Sequence, residues 1–513
     1  MTALRDSLLG LGDKLAAHVL LSAAAIALGI AVALPLAVWA GRSRRVARWA
    51  LGFASLVQAI PALALLALFF PILLSLRAVF GEGLPTLGFL PALLALALYA
   101  LLPILRNAAT AQANLDPGVV EAADAMGMTR WQKLRLVEAP LAAPFLMAGI
   151  RTAAVWTIGA ATLATTVGQT SLGDPIFAGL QTQNWALVLA GCIAAAGLAL
   201  VADGLLGLIE RGFAQRRRGL WLGGIAVALA GVMLAAASYS GLAADEDRRI
   251  VIGAKSFSEQ YILTRLMGQR LERAGYRVEY RDGLGSAVAH GGVASGQIDV
   301  LADYTGTIWT NQMKRTDNPP RDAMLAAIAT WERETGGIRV LGRLGFENAY
   351  GLAMTRGAAE ARGLTSIADL AAAAPSLTIG GDPEFFERPE WRAVRDAYGL
   401  RFARQRNFSP TFMYDALQSG EADVISGYTS DGRIAADDLV ILADPRRAFP
   451  NYDAIVLLSA KTARDRRVVE ALRGLMGKID VEAMRAANYS VDRSDGKRTP
   501  DEAARALARQ LGL

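Results

Sequence analysis

The chain has 513 residues, 53% of them apolar, with 53 Lys and Arg against 47 Asp and Glu. That length exceeds a single hydrophobic core and asks for two or three domains. The net charge of +6 does not mark a nucleic-acid surface, because the basic residues of the first half sit in loops between apolar runs. One cysteine, Cys192, excludes an intrachain disulfide, and two histidines, His18 and His290, leave no metal cluster and no evident nucleophile–base pair.

Before about residue 241 the chain is dominated by Ala, Leu, Val and Gly; after it, charges of both signs return. Six stretches lack Asp, Glu, Lys and Arg: Val19–Gly41, Trp49–Leu76, Gly83–Leu105, Thr152–Gly173, Pro175–Ala202 and Gly219–Ala244. Each approaches or exceeds the roughly 20 residues that a bilayer crossing needs. Arg151 precedes the fourth, which therefore begins near Pro140, and the cost of a buried charge predicts that Arg151 lies near the cytoplasmic end or faces protein. Arg42, Arg44, Arg45 and Arg48 follow span one; Arg130, Lys133 and Arg135 follow span three; Arg211 and Arg216–Arg218 follow span five. Those loops are expected inside, which places the N-terminus and everything after residue 244 outside. Residues 216–244 have the order of a secretory signal in mid-chain. We read them as an uncut tether; cleavage would instead release the second half as a soluble protein.

The longest internal loop reads NLDPGVVEAADAMGMTRWQKLRLVEAPLAAP. Asp116 as N-cap and Pro117 at the first helical position predict a helix to Met126 that stops at Gly127. Thr129 and Gln132 have capping-box spacing for a second helix. Val119, Val120, Met126, Met128 and Trp131 give the loop more apolar surface than a solvated loop needs, while Glu121 and Asp124 suit a protein groove better than an anionic bilayer.

The segments EAADAMG and LVEAPLAAPFLMAGIRTA resemble the EAA loop of permease subunits in binding-protein-dependent ABC importers. The resemblance implies that Glu121, Ala122, Ala123 and Gly127 belong to a coupling helix that docks into an ATPase subunit. Ala139 stands where that family has a larger apolar residue. QAIPALALLAL, GIRTAAVWTIGAATLATTVG and LGDPIFAGLQTQN extend the likeness to the quaternary-amine, or osmoprotectant, branch. No Gly-x-x-x-x-Gly-Lys-[Ser/Thr] phosphate loop occurs in the chain, so nucleotide hydrolysis is expected in a separate partner.

Past residue 249 strand and helix patterns alternate. Strand Ile250–Lys255 precedes a helix whose start has Ser256 and Glu259 at capping-box spacing and whose buried stripe is Ile262, Leu263, Leu266 and Met267. Strand Arg277–Tyr280, helix Ser286–Ser295 and strand Ile298–Asp303 complete a parallel βαβαβ unit. A second unit runs through strand Leu377–Asp382, helices Pro389–Tyr398 and Pro410–Ser419, and strand Ala422–Gly427. The pieces SGQIDV (295–300) and SGEADV (419–424) are near-copies, each followed by a tyrosine. Two α/β lobes joined by crossing segments make a hinged binding protein with its ligand at the strands' carboxyl ends.

Tyr304 and Tyr428 end corresponding strands of opposite lobes, and Tyr350 and Tyr452 fall near the crossovers. Each alone is explained as an amphipathic core residue. Together, beside Gly/Thr turns, they form a box of π faces for a cation that donates no hydrogen bond, a quaternary ammonium. Lys255, Thr307 at a helix start, and Arg388 supply a counter-site for a carboxylate; Arg388, in ERPEW, could equally open a solvated helix. IGAKSFSEQ, ADYTGT, NAYGL, GYTSDGRI and FPNYDA resemble the glycine betaine/choline binding proteins. That likeness implies a tyrosine cage at Tyr304, Tyr350, Tyr428 and Tyr452, and the lysine at 255, where some choline and carnitine binders have Gln, tilts the guest toward a carboxylate. A fused permease–receptor branch of the family takes ergothioneine, which keeps that guest, proline betaine and choline open beside glycine betaine.

The expectation is therefore multi-domain. Residues 1–218 form an α-helical permease of the type I importer kind, with its EAA loop at 117–140, and 219–244 a sixth helix. Residues 245–513 form a two-lobed α/β periplasmic-binding-protein-like domain of class II, with lobe 1 at about 249–347 and 451–513 and lobe 2 at about 348–450. Its partners would be two ATPase subunits, a second copy of the chain and a small quaternary ammonium ligand, in the bacterial inner membrane, with no nucleic acid, cofactor or metal. A ligand-sensing receptor would carry a signalling domain, and a periplasmic enzyme a catalytic pair; neither pattern is found in the sequence.

Overall fold

The structure is a computed structural model and describes residues 2–81, 83–182, 184–240, 248–493 and 495–513. It divides into two compact units, Met1–Phe177 with Trp185–Ala244, and Ala178–Asn184 with Asp245–Leu513.

The first unit is helical: α1 (Gly12–Arg42), α2 (Arg44–Ala59), α3 (Ala62–Phe80), α4 (Phe89–Ala113), α5 (Pro117–Ala125), α6 (Ala139–Ala161), α7 (Trp185–Ala214) and α8 (Arg218–Ser240). Six helical runs among the described residues are long and apolar enough to cross a membrane. The stretch Trp49–Leu76, expected as one span, is instead divided between α2 and α3. Ile60, pushed out of the helical region by the ring of Pro61, sits at φ −75°, ψ 128°. Likewise Pro175–Ala202 is shared between the helix Gly173–Gln181 and α7. The last residues of the expected sixth span, 241–244, lie outside the described residues.

Arg151, on α6, faces protein. Its Nε and one Nη donate to the two carboxylate oxygens of Asp203 at 2.5 and 2.6 Å, and its other Nη to Glu210 at 3.4 Å. Asp203 and Glu210 are seven residues apart on α7 and so share one face.

In the loop after α4, Asp116 accepts from the Gly118 N–H at 2.8 Å and Pro117 opens α5. Gly127 turns the chain at φ 71°, and Thr129 and Gln132 form the reciprocal capping box of the next turn. Lys133 reaches back to Asp124 at 2.7 Å, tying the two short helices together.

The second unit holds two five-stranded sheets. The first has the order β2-β1-β3-β10-β4, from β1 (Arg249–Lys255), β2 (Arg277–Leu284), β3 (Val300–Tyr304), β4 (Arg339–Glu347) and β10 (Asp453–Leu458). The second has the order β7-β6-β8-β5-β9, from β5 (Tyr350–Thr355), β6 (Thr378–Gly381), β7 (Arg404–Asn407), β8 (Val424–Tyr428) and β9 (Leu439–Ile441). Strands β1, β2 and β3 run parallel, as do β6, β7 and β8, while β10, β5 and β9 add antiparallel neighbours. The parallel cores answer to the two βαβαβ patterns; the antiparallel additions leave no periodic trace of their own.

The near-copies explain themselves. Gly296 and Gly420, at φ 71° and 76°, end the helices Ser286–Ala294 and Pro410–Gln418 in the left-handed region. Asp299 and Asp423 then accept from the backbone N–H groups of Val251 and Thr378, at 2.9 and 2.8 Å, pinning β1 and β6 to the next strand. One local device thus starts the return strand in both sheets.

The capping box expected from Ser256 and Glu259 is not formed. Helix α9 (Ser258–Arg273) begins later, behind Phe257, with no side-chain cap. Glu259 is drawn inside instead, where it accepts from the Tyr304 hydroxyl at 2.6 Å and from the amides of Asn348 and Asn488 at 3.2 and 3.1 Å. A buried phenol in need of an acceptor outweighs a cap that water can replace.

Helix α10 (Val481–Asp492) closes against the turn after β8. Arg485 donates to the Thr429 carbonyl at 2.7 Å and Asn488 to that of Ser430 at 2.8 Å. Asp492, at its end, accepts from the Ser258 hydroxyl at 2.5 Å. Burial pushes its carboxyl up to about 7 against the opposing pull of Arg433, with Asp431 adding to the rise.

Two outcomes are expected. Asp423→Ala leaves the Thr378 N–H without its acceptor and lowers stability by about 1–3 kcal/mol, read as a lower thermal midpoint of the full chain. Because the folded protein holds the Asp492 proton more tightly than the unfolded one, stability present below about pH 4 is lost as pH rises through about 7. The midpoint therefore falls across that window, and Asp492→Asn flattens the slope.

Candidate ligand-binding site

The carboxyl ends of β3 and β8 point into one cleft, a cavity of about 150 Å³ lined by Tyr304, Tyr350, Tyr428, Tyr452 and Phe257. Tyr350 opens β5 and Tyr428 ends β8, and the antiparallel register sets them opposite one another. Their ring centroids are 5.0 Å apart. Tyr452, one residue before β10, stands edge-on to Tyr350 at 5.7 Å. It lies flat against Gly306, where a Cβ would come within 2.5 Å of the ring. Thr305 holds the same corner, donating to the Asn451 carbonyl and accepting from the Asp453 N–H, both at 3.0 Å.

Phe257 bridges Tyr428 and Tyr304. Its ring is nearly parallel to Tyr428 at 6.5 Å and lies 6.2 Å from Tyr304. Five rings therefore run Tyr304–Phe257–Tyr428–Tyr350–Tyr452. The four tyrosines named from the sequence are brought together; Phe257 was missed. The signal for it was present, since it falls between Lys255 at a strand end and a helix start. Phe385, 5.0 Å from Tyr350, backs the cage and packs in turn on Phe386 and Trp391.

Burial raises all four phenols above their ordinary range, helped at Tyr304 by Glu259 and at Tyr452 by Glu390, and opposed at Tyr350 by Arg388. The rings stay neutral near pH 7 and offer π faces rather than charge. Burial likewise raises Asp382, whose carboxylate accepts from the Phe385 N–H at 3.0 Å and lies 3.5 Å from the Tyr428 hydroxyl.

The cations expected to hold a carboxylate do line the cleft, but neither is idle. The Lys255 ammonium is 2.5 Å from Asp303, both side chains buried, and 5.3 Å from the Tyr304 ring centroid. Arg388 is 6% exposed, which removes the solvated-helix alternative for ERPEW. Its guanidinium lies 5.4 Å from the Tyr350 ring and pairs with Glu384 and, at 3.4 Å, with Glu390. Glu390 also accepts from the Tyr452 hydroxyl and from Thr310 at 2.9 Å. Thr307 is buried in the short helix that follows Tyr304 and lines the same cavity.

The remaining named residues belong to α5 and its turn. Glu121, Ala122 and Gly127 are exposed and Ala123 is buried. Met126 and Trp131 beside them are 72% and 66% exposed.

Residues 248–510 match the family described as the substrate binding domain of ABC-type glycine betaine transport system, and residues 25–215 the binding-protein-dependent transport system inner membrane component. Over 468 residues the chain is 30% identical to the ergothioneine transport permease/ergothioneine binding protein EgtU of Helicobacter pylori (strain G27), covering 88% of this chain and 82% of the relative. Over 195 residues, 38% of this chain and 82% of the relative, it is 44% identical to the carnitine transport permease protein OpuCD of Listeria monocytogenes serotype 1/2a (strain 10403S). Among solved structures, one of a glycine betaine/carnitine/choline ABC transporter aligns at 26% identity with a TM-score of 0.46, over 51% of this chain and 98% of that one. The chain belongs to the binding-protein-dependent ABC importers of the glycine betaine type: it is a multi-pass inner-membrane permease fused to its own extracytoplasmic substrate-binding domain.

Proposed function

We propose that the cleft binds a betaine, with its trimethylammonium among the five rings and its carboxylate toward Lys255, Thr307 and Arg388. The observation that carries this reading is the continuous run of five neutral rings lining one cavity. A quaternary ammonium donates no hydrogen bond, so π faces serve it where an ordinary polar pocket gains little. Ergothioneine is the first cargo to test, because the relative bearing that name shares both halves of this chain in one polypeptide. Glycine betaine is the second, favoured by the family that the binding domain matches.

In the same proposal the chain pairs with a second copy to complete the pore and with two separate ATPase subunits. The turn around Glu121, Ala122, Ala123 and Gly127 would transmit their motion. Its exposed Met126 and Trp131 are apolar groups that a protein groove would cover. Ligand closes the binding domain over the cage, and ATP binding then switches access of the pore.

Calorimetry of the purified full-length protein against ergothioneine, glycine betaine, proline betaine and choline tests the cargo. Tyr428→Ala should weaken binding about 2- to 30-fold per ring lost, and Tyr428→Phe far less, because the face is kept. Alanine variants at Tyr304 and Tyr428 that bind as well as the parent would end the cage assignment. Separately, Glu121→Lys combined with Gly127→Ala should abolish ATP-driven uptake in proteoliposomes while ligand binding stays intact; retained uptake would count against the coupling role.

A further inference from the structure

Arg388 is buried yet poorly used. The edge of a guanidinium formed by Nε and one Nη grips a carboxylate with two parallel bonds. Arg315 does this with Asp317, at 3.0 and 2.9 Å, and Arg321 turns the same edge to the two oxygens of Asp453. On Arg388 that edge is half occupied. One Nη donates to a single oxygen of Glu384, while Nε is buried without a partner. The other Nη faces Glu390 at the long distance of 3.4 Å. Glu384 and Glu390 also differ in kind: Glu390 is 1% exposed and held by Tyr452 and Thr310, whereas the Glu384 side chain is 57% exposed.

We propose that Glu384 is an internal competitor for the ligand's carboxylate. Building on the betaine reading above, it occupies the outer edge of Arg388 and swings into water when a carboxylate takes both Nε and Nη. The exchange keeps the outer edge of a buried cation occupied, beside the Glu390 contact that stays in place. It also sets selectivity. A carboxylate-bearing betaine has to displace Glu384, whereas a quaternary amine without a carboxylate leaves Glu384 in place and keeps its negative charge nearby. Glu384 is therefore a specificity-determining residue that favours choline-like cations over betaines.

Glu384→Gln in the full-length protein tests this by calorimetry with ergothioneine, glycine betaine and choline. The change lies on an exposed side chain and leaves the ring cage and Glu390 in place. Affinity for the carboxylate-bearing ligands is expected to rise about fivefold, the scale of one partly exposed charge pair, with no rise for choline. In an Arg388→Gln background the same substitution should give no rise, because the contested edge is gone. The proposal is overturned if betaine affinity is unchanged or lower, if choline gains equally, or if the gain survives in the Arg388→Gln background, which would point to a general field. A parent protein that binds none of the three ligands sinks the cage reading and this proposal with it. One that binds them without responding to Glu384→Gln sinks this proposal alone.

Discussion

The cleft depends on the pairing of β5 with β8, which sets Tyr350 against Tyr428. Side chains alternate faces along a strand, so a one-residue slip of either strand would turn its ring away from the other. The first sheet adds its own pair through the β3–β10 register, where Ala454 opposes Tyr304 and brings Tyr452 to the same rim. Phe257 joins the two sets. Rings from separate sheets thus meet only when both strand registers hold, and burial keeps the phenols in their neutral form.

Charge around the cage follows a second rule, that no cation is left alone. Lys255 faces Asp303, Arg388 faces Glu384 and Glu390, and Arg433 faces Asp431. Isolated charges in such a place would be costly, and pairing within the protein avoids that cost. Asp382 adds a further carboxylate beside the Tyr428 hydroxyl, 3.5 Å away.

The membrane half meets the same cost by a different route. Arg151 is matched by Asp203 and Glu210 from one face of α7, so a charge on an otherwise apolar helix turns toward protein. In the loop between α4 and α6 the balance is reversed. There the short helices are braced by Asp116, Thr129, Gln132 and the Lys133–Asp124 pair, while Met126 and Trp131 stay in the open. Local polar bonds hold the shape, and the apolar groups remain exposed.

Several features were legible in the sequence because local chemistry decides them. The apolar runs, the arginine-rich loops, the Asp116–Pro117 helix start, the Thr129–Gln132 box and the twin SG-x-x-DV pieces all act within a few residues, and the twins perform one task at both sites. Tyr304 and Tyr428 at the ends of corresponding strands were equally readable. Tertiary structure decided what depends on partners far along the chain. Glu259 left its cap to serve Tyr304, 45 residues away, and Pro61 divided an apolar run that composition alone shows as unbroken. Phe257 became the fifth ring only because β3 and β8 arrive on either side of it. Lys255 and Arg388 were visible as cations, but their neighbours Asp303, Glu384 and Glu390 determine how free they are. Local patterns set which groups face a cleft; the long-range cost of burying a charge or a hydroxyl without a partner sets what each of them holds.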